Sequence, residues 1–355
     1  MKYFVFVFFS LVSISIGQSA FWEFNTSRYA RVVSLGNAFT GLADDIESVY
    51  YNSAGLANLD DYKIAYSKGN GYAFVINNYT ADSYAVLVPT FDELGKFALS
   101  VDRLNFEDMD SGYSLYRLHF ARNILNNLSV GASINYYHLY ADSYSTVEFP
   151  GGNDEELSAN SFDMSLSALY SLPTTSFWGI SNETRFGFQI QNIFSTKMKY
   201  SGEFDSYPKH QTLRLGVSTS IIPELKNIAN LIPLKLIVVA DAVFYGSEYE
   251  FNVWQPNFGI ELNILEILSF RFGRENEKVI KDAYDYSPQH PVKRYGIGLR
   301  LPLHKLISDY NKVELSLDYS YSDWDKLDET KPMMSFISND SPIRESFSLK
   351  FAFQY

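Results

Sequence analysis

Residues 346–355 read Ser346-Phe347-Ser348-Leu349-Lys350-Phe351-Ala352-Phe353-Gln354-Tyr355. Large apolar side chains occupy every odd position and small or polar ones every even position, the period of a strand with one greasy and one polar face. The same alternation recurs upstream. Val313, Leu315, Leu317, Tyr319 and Tyr321 alternate with Glu314, Ser316, Asp318, Ser320 and Ser322, and Leu128, Val130, Ala132, Ile134 and Tyr136 with Ser129, Gly131, Ser133 and Asn135. Phe162, Met164, Leu166, Ala168 and Tyr170 do so against Ser161, Asp163, Ser165 and Ser167. From 62–68 through 345–355 there are about fourteen or fifteen such segments, and because an outer-membrane barrel closes on an even number, fourteen are expected.

A soluble sandwich and a membrane barrel both use this pattern, and strand length separates them. Sandwich strands are typically ~5–6 residues, whereas crossing the hydrocarbon at a tilt takes about ten. The polar face agrees. It is Ser, Gly and Asn rather than the Lys and Glu favoured by bulk water, and it carries charges of both signs: Asp102, Arg117, Arg214, Lys235, Asp241, Arg271, Arg300, Glu314 and Asp318, with His119 beside Arg117. Such a set can satisfy itself inside a wet or plugged lumen while the opposite face meets lipid. Aromatic residues at 17%, with 27 Tyr and 28 Phe, suit a chain whose rings sit at membrane interfaces. The expected fold is therefore all-β, a transmembrane antiparallel β-barrel of about 14 strands over residues 60–355. The terminal strand, with Phe351, Phe353 and the final Tyr355, resembles the signal read by the bacterial barrel-assembly machinery. That machinery and outer-membrane lipid are the expected partners. Asn126-Asn127 reads as a short turn, and 142–157, 276–292 and 325–344 as long extracellular loops.

The first twenty residues read as a secretory signal: Lys2, then an apolar run over 3–16, then small residues that allow cleavage after Gly17 or Ala20. A net charge of −12 argues against nucleic acid as a partner. With no cysteine, thiolate metal sites and thiol nucleophiles are excluded. The five histidines, His119, His138, His210, His290 and His304, lack metal-ligand spacing, and no catalytic elbow or phosphate loop occurs in its required setting. Neither an enzyme, nor a cofactor, nor a metal centre is expected.

Residues 21–59 break the alternation and read as short helices joined by glycine, a plug or hatch segment. The run Ser34-Leu35-Gly36-Asn37-Ala38-Phe39-Thr40-Gly41-Leu42-Ala43-Asp44-Asp45, followed by Tyr50-Tyr51-Asn52-Ser53-Ala54-Gly55-Leu56-Ala57, resembles the N-terminal signature of the PorV/PorQ family. Within this plug motif, which includes Leu35, the residues Gly36, Ala38 and Phe39 match the family's small-then-aromatic core, Asp44 and Asp45 its acidic pair, and Asn52, Ala54, Gly55 and Leu56 its Asn-Pro-Ala-Gly-Leu end. Ser53 stands where proline is usual, which loosens a turn whose φ proline would fix. The family is related in architecture to the FadL long-chain fatty-acid transporters, so the resemblance implies a fourteen-stranded barrel with this segment in or near its lumen. It also implies a role as an accessory of type IX secretion, with secretion-system proteins or exported cargo as partners. A FadL-like conduit for a hydrophobic ligand is the alternative, and the polar lumen face weighs against it. From the residues themselves, the glycines permit close packing on a barrel wall, and the two aspartates can cap a helix or pair with lumen arginines. Structural plugging and gating both remain open.

Overall fold

The computed structural model describes residues 29–71, 79–89, 94–106, 111–141, 157–194, 196–200, 207–208, 211–223, 233–245, 253–275, 292–303, 313–323 and 343–353. Fourteen long strands form the staves of one closed sheet. In chain order they are β1 (Tyr62–Gly71), β2 (Tyr79–Val88), β3 (Lys96–Phe106), β4 (Ser111–Leu125), β5 (Leu128–Ala141), β6 (Leu157–Ser171), β7 (Ile180–Gln191), β8 (Thr212–Pro223), β9 (Leu234–Tyr245), β10 (Val253–Ile264), β11 (Leu268–Glu275), β12 (Val292–Pro302), β13 (Val313–Asp323) and β14 (Ile343–Phe353). Short segments at Thr175–Phe177, Lys197–Tyr200 and Tyr207–Pro208 extend the hairpins. Every pairing is antiparallel, and β1 pairs with β14 to close the cylinder, Tyr66 opposite Leu349. The expected signal peptide, Tyr355 and nearly all of the three long loops lie outside the described residues.

The alternation sorts the side chains as the sequence requires. Outward positions such as Ile64, Leu99, Phe162, Leu215, Phe258 and Ile297 are 46–63% exposed in the isolated chain, which for this architecture means exposed to lipid. Outward charges in the described strands gather near strand ends, as with Lys68, Arg103, Arg274 and Lys293 toward the long loops and Arg122 at the opposite end. Rings pair across neighbouring outward positions. Tyr136 and Phe162 have centroids 4.7 Å apart, and Tyr62 stacks on Phe353 at 5.1 Å across the closing seam.

Fourteen strands enclose more space than wall side chains can fill, since about eight already give a packed interior. Here the inward residues are also small: Ser83, Ser133, Ser167, Gly187, Gly216, Gly273 and Ser348 among them. The N-terminal segment occupies the space they leave. It comprises a helical turn α1 (Ala30–Ser34), a second turn α2 (Ser48–Tyr51) and a 3-10 turn over Ser53–Asn58. None is long enough to persist alone in water. Their shape is imposed by the wall, and Tyr29, Leu35, Phe39, Leu42, Ile46, Tyr51 and Leu56 are at most 2% exposed.

Candidate functional site: the plug, its seat and the adjoining wall

The plug lies directly on the main chain of the wall. A methyl group at Gly187 would come within 1.9 Å of the Thr40 carbonyl oxygen, one at Gly273 within 2.1 Å of the Gly36 nitrogen, and one at Gly259 within 2.5 Å of the Leu35 oxygen. Glycine on the wall therefore sets how closely the plug backbone can approach. Gly36 itself turns at φ +67°, and a side chain there would strike the main chain at Phe258 and Arg274. Inside the plug, Gly55 lets the 3-10 turn pack on Ala43, whose oxygen would sit 2.2 Å from an added methyl.

Polar groups fix the register of plug on wall. Asp241 of β9 accepts from the backbone nitrogens of Phe39 and Thr40 at 3.0 and 2.9 Å. Asn52 donates to Thr40 oxygen at 2.8 Å and to Ala168 oxygen of β6 at 3.0 Å, and its own oxygen accepts from Ala54 nitrogen. Ala54 nitrogen also donates to Ser167 Oγ at 3.0 Å. Ser53, which replaces proline in the motif, meets His119 Nδ1 at 2.9 Å, while His119 Nε2 meets Ser100 at 3.0 Å. At this turn the serine hydroxyl and the Asn52 cap supply contacts that a proline side chain could not make. Gln189 and Gln191 donate to Tyr50 oxygen, Arg117 lies 4.5 Å from the Tyr50 ring centroid and 3.1 Å from Asp102, and Arg214 lies 4.9 Å from the Tyr51 centroid.

A continuous chain of charges, buried at its centre and part-buried at Asp44 and Lys63, runs from plug to wall. Asp44 meets Arg31 at 2.7 Å, Arg31 meets Glu261 at 2.8 Å, Glu261 meets Arg271 at 3.0 Å and Arg271 meets Asp318 at 2.7 Å. Lys350 then contacts Asp318 at 3.1 Å, Asp45 at 2.8 Å and Glu47 at 3.0 Å, and Asp45 reaches Lys63 at 2.8 Å. The acidic pair thus finds cations other than wall arginines. Asp44 uses an arginine of the plug, and Asp45 uses two wall lysines. Burial opposes the charge on Asp45, yet the two lysines hold its carboxyl well below the usual range. Burial pushes Glu47 up to about 7, and the neighbouring Asp45 charge adds to the rise while Lys350 opposes it.

Arg300 stands apart, half-exposed at the short-turn end and paired with Glu314 at 3.0 Å. Phe351 faces outward, and Phe353 stacks across the seam. Sequence reasoning passed over Arg31, Glu47, Lys63, Glu261 and Lys350 as functional positions. The available signal was parity: Lys63 and Lys350 both fall on the inward face of the first and last strands. Among the described residues no group of three metal-ligating side chains occurs.

A groove of about 620 Å³ lies on the outer wall over β6 to β10. Its floor is made of small side chains, Ala168, Val217, Ala240, Ala242 and Pro256, and its sides of Tyr170, Phe186, Phe188, Leu215 and Phe258. Gly187, Gly216 and Asp241 line it through their main chain, and the plug residues Thr40 and Gly41 lie immediately on the other side. At this place the wall is one backbone thick.

Strand pairing, outward apolar face and buried N-terminal segment together define a transmembrane β-barrel of fourteen strands, plugged by its own N-terminus. Similar solved structures include a FadL homologue from Pseudomonas aeruginosa, 10% identical, TM-score 0.45, covering 95% of this chain and 98% of that one. The CymD monoaromatic hydrocarbon channel is 11% identical at TM-score 0.45, with 96% and 98% coverage. The toluene transporter TbuX of Ralstonia pickettii is 8% identical at TM-score 0.43, with 92% and 98% coverage. No family model matches the sequence, and no curated protein matches it.

Proposed function

We propose that this barrel resides in a bacterial outer membrane and handles hydrophobic molecules there, exchanging them through its side wall rather than along its axis. The observation that supports this reading is the outer groove at β6–β10. Its size falls in the range of ordinary small-molecule sites, its lining is apolar and aromatic, and only the glycine backbone separates it from the plug loop at Thr40-Gly41. The polar lumen that weighs against a greasy axial path does not bear on a lateral one. Passage requires the 39–42 loop to withdraw from Asp241, because the plug blocks the inner side of the groove in this closed form.

Ala240→Phe with Ala242→Phe fills the groove from the lipid side without touching the plug. Uptake of labelled oleate and labelled toluene by cells producing this variant is expected to fall to the level of cells lacking the barrel, with equal amounts of folded protein in the membrane. Uptake equal to that of the unsubstituted barrel for both probes would overturn the reading.

A second reading, an accessory of type IX secretion of the PorV/PorQ kind, is favoured by one observation. The motif residues Gly36, Asp45, Asn52 and Gly55 all hold the plug together or seat it on the wall, so a partner would meet the barrel from outside. Deleting the gene is then expected to deplete exported surface proteins, and an unchanged secreted and surface-attached proteome would retire it.

A further inference from the structure

The buried charge chain crosses the place where the barrel closes. Lys63 lies on the first strand and Lys350 on the last, and these strands pair with Lys63 opposite Ala352 and Lys350 opposite Ala65. Both ammonium groups reach the same inward carboxylate. Two cations therefore stand diagonally across the seam, where cross-strand neighbours at about 7–8 Å still interact, and like charges so placed oppose pairing. In a low-dielectric interior that repulsion is larger than on a surface.

The plug answers both charges at once. One oxygen of Asp45 accepts from Lys63 and the other from Lys350, each at 2.8 Å, and Glu47 adds a contact to Lys350 at 3.0 Å. Lys350 also has Asp318 on the neighbouring strand β13. For Lys63, the ion pair in the described structure is the one with Asp45. Nearby, Ala30 nitrogen donates to Ser348 Oγ at 2.7 Å, and Ser348 Oγ donates to Ser67 across the same seam at 2.8 Å. The first and last strands are thus tied to each other and to the plug at two successive levels.

We propose that the Asp45–Glu47 turn is a latch joining the first strand to the last, so that the barrel closes stably only around its seated N-terminal segment. The plug is then a component of closure, not an insert added to a finished cylinder. Withdrawal of the 45–47 turn loosens the seam itself, whatever the barrel carries.

The test uses the full chain with Asp45→Asn and Glu47→Gln together, followed by hydrogen exchange at two strand pairs. At the seam, residues 62–71 and 343–353, exchange is expected to quicken at least about tenfold, as loss of a buried ion pair implies. At the reference pair, 128–141 and 157–171, it is expected to stay unchanged. Adding Lys63→Met and Lys350→Met to the same chain removes the repulsion and is expected to restore seam protection. If the doubly substituted chain does not accumulate as a folded barrel that migrates faster in SDS before heating, the fourfold variant is expected to do so. An unchanged seam, equal acceleration at both pairs, or no recovery in the fourfold variant would each overturn the proposal.

Discussion

The two halves of the plug are held by different forces. Residues 31–47 are fastened by ions: Arg31, Asp44, Asp45 and Glu47 meet Glu261, Lys63 and Lys350. Residues 50–59 are fastened mainly by neutral hydrogen bonds, from Asn52, Ser53 and Ala54 to the wall and from Gln189 and Gln191 to Tyr50, with Leu56 packed among them. A buried charge left without its partner costs several times more than a lost neutral hydrogen bond. The charged half therefore responds to pH and to charge substitution, and the neutral half acts as a fixed anchor. The half held by ions is also the half that touches the barrel seam.

Several substitutions would break or sharpen this contrast. The largest effect is expected at the shared support. Gly187→Val puts side-chain atoms where the Thr40 carbonyl lies, so the plug cannot seat, and the folded barrel should be lost or become accessible to protease within residues 29–59. Next is Arg31→Met, which takes the ion-pair partner from the part-buried Asp44 and leaves the buried Glu261 with Arg271 alone, and is expected to cost about 3 kcal/mol by denaturant unfolding.

pH discriminates between the halves. Because Glu47 is raised from 4.5 to about 7 by burial, the folded state holds its proton more tightly than the unfolded state does. Its contribution is fully present below about 4.5 and is lost as pH rises through about 7. The Asp45 carboxyl, held low, contributes above its ordinary 3.8 and is lost as pH falls below that. The melting temperature should accordingly fall as pH rises from about 4.5 to about 7 and level off above that, and Glu47→Gln should flatten that slope. A rising or level profile in the unsubstituted barrel would contradict the assignment.

The smallest effect is expected in the neutral half. Ser53→Pro restores the residue usual in the motif, losing about 1 kcal/mol with the His119 hydrogen bond and regaining roughly 0.4–1 kcal/mol from a stiffer unfolded chain. Unfolding midpoints should nearly coincide, and a drop as large as that for Arg31→Met would remove the distinction between the halves.

Much of this architecture is legible in one strand. The alternation at 346–355 places Ser346, Ser348 and Lys350 inward and Phe347, Leu349 and Phe351 outward, as the structure has them, because a period of two leaves no freedom once one face must meet lipid. The small polar face was legible as a composition and less so as a purpose. Ser and Gly suit a wet lumen as well as a seat for a plug, and only the approach of Thr40 to Gly187 or of Gly36 to Gly273 distinguishes them. The acidic pair suggested lumen arginines, whereas its partners are Arg31 of the plug and the wall lysines Lys63 and Lys350. The lysines could not be read, since Lys63 and Lys350 are 287 residues apart and meet only because the last strand returns to the first. The outer groove left no linear trace. Its floor is assembled from small residues on four strands, Ala168 on β6, Val217 on β8, Ala240 and Ala242 on β9 and Pro256 on β10, each unremarkable in its own alternation.

The account depends on the N-terminal segment being packed against the inside of a closed barrel, and the chain's lack of cysteine makes that directly measurable. Single near-isosteric substitutions Ser34→Cys and Ser48→Cys place a thiol at two fully buried plug positions, and Asn126→Cys places one in an exposed turn as reference. With the barrel folded in membranes, a maleimide is expected to label position 126 promptly and positions 34 and 48 only after unfolding. Labelling of 34 and 48 in the folded barrel at the rate seen for 126 would show the segment to lie free of the wall.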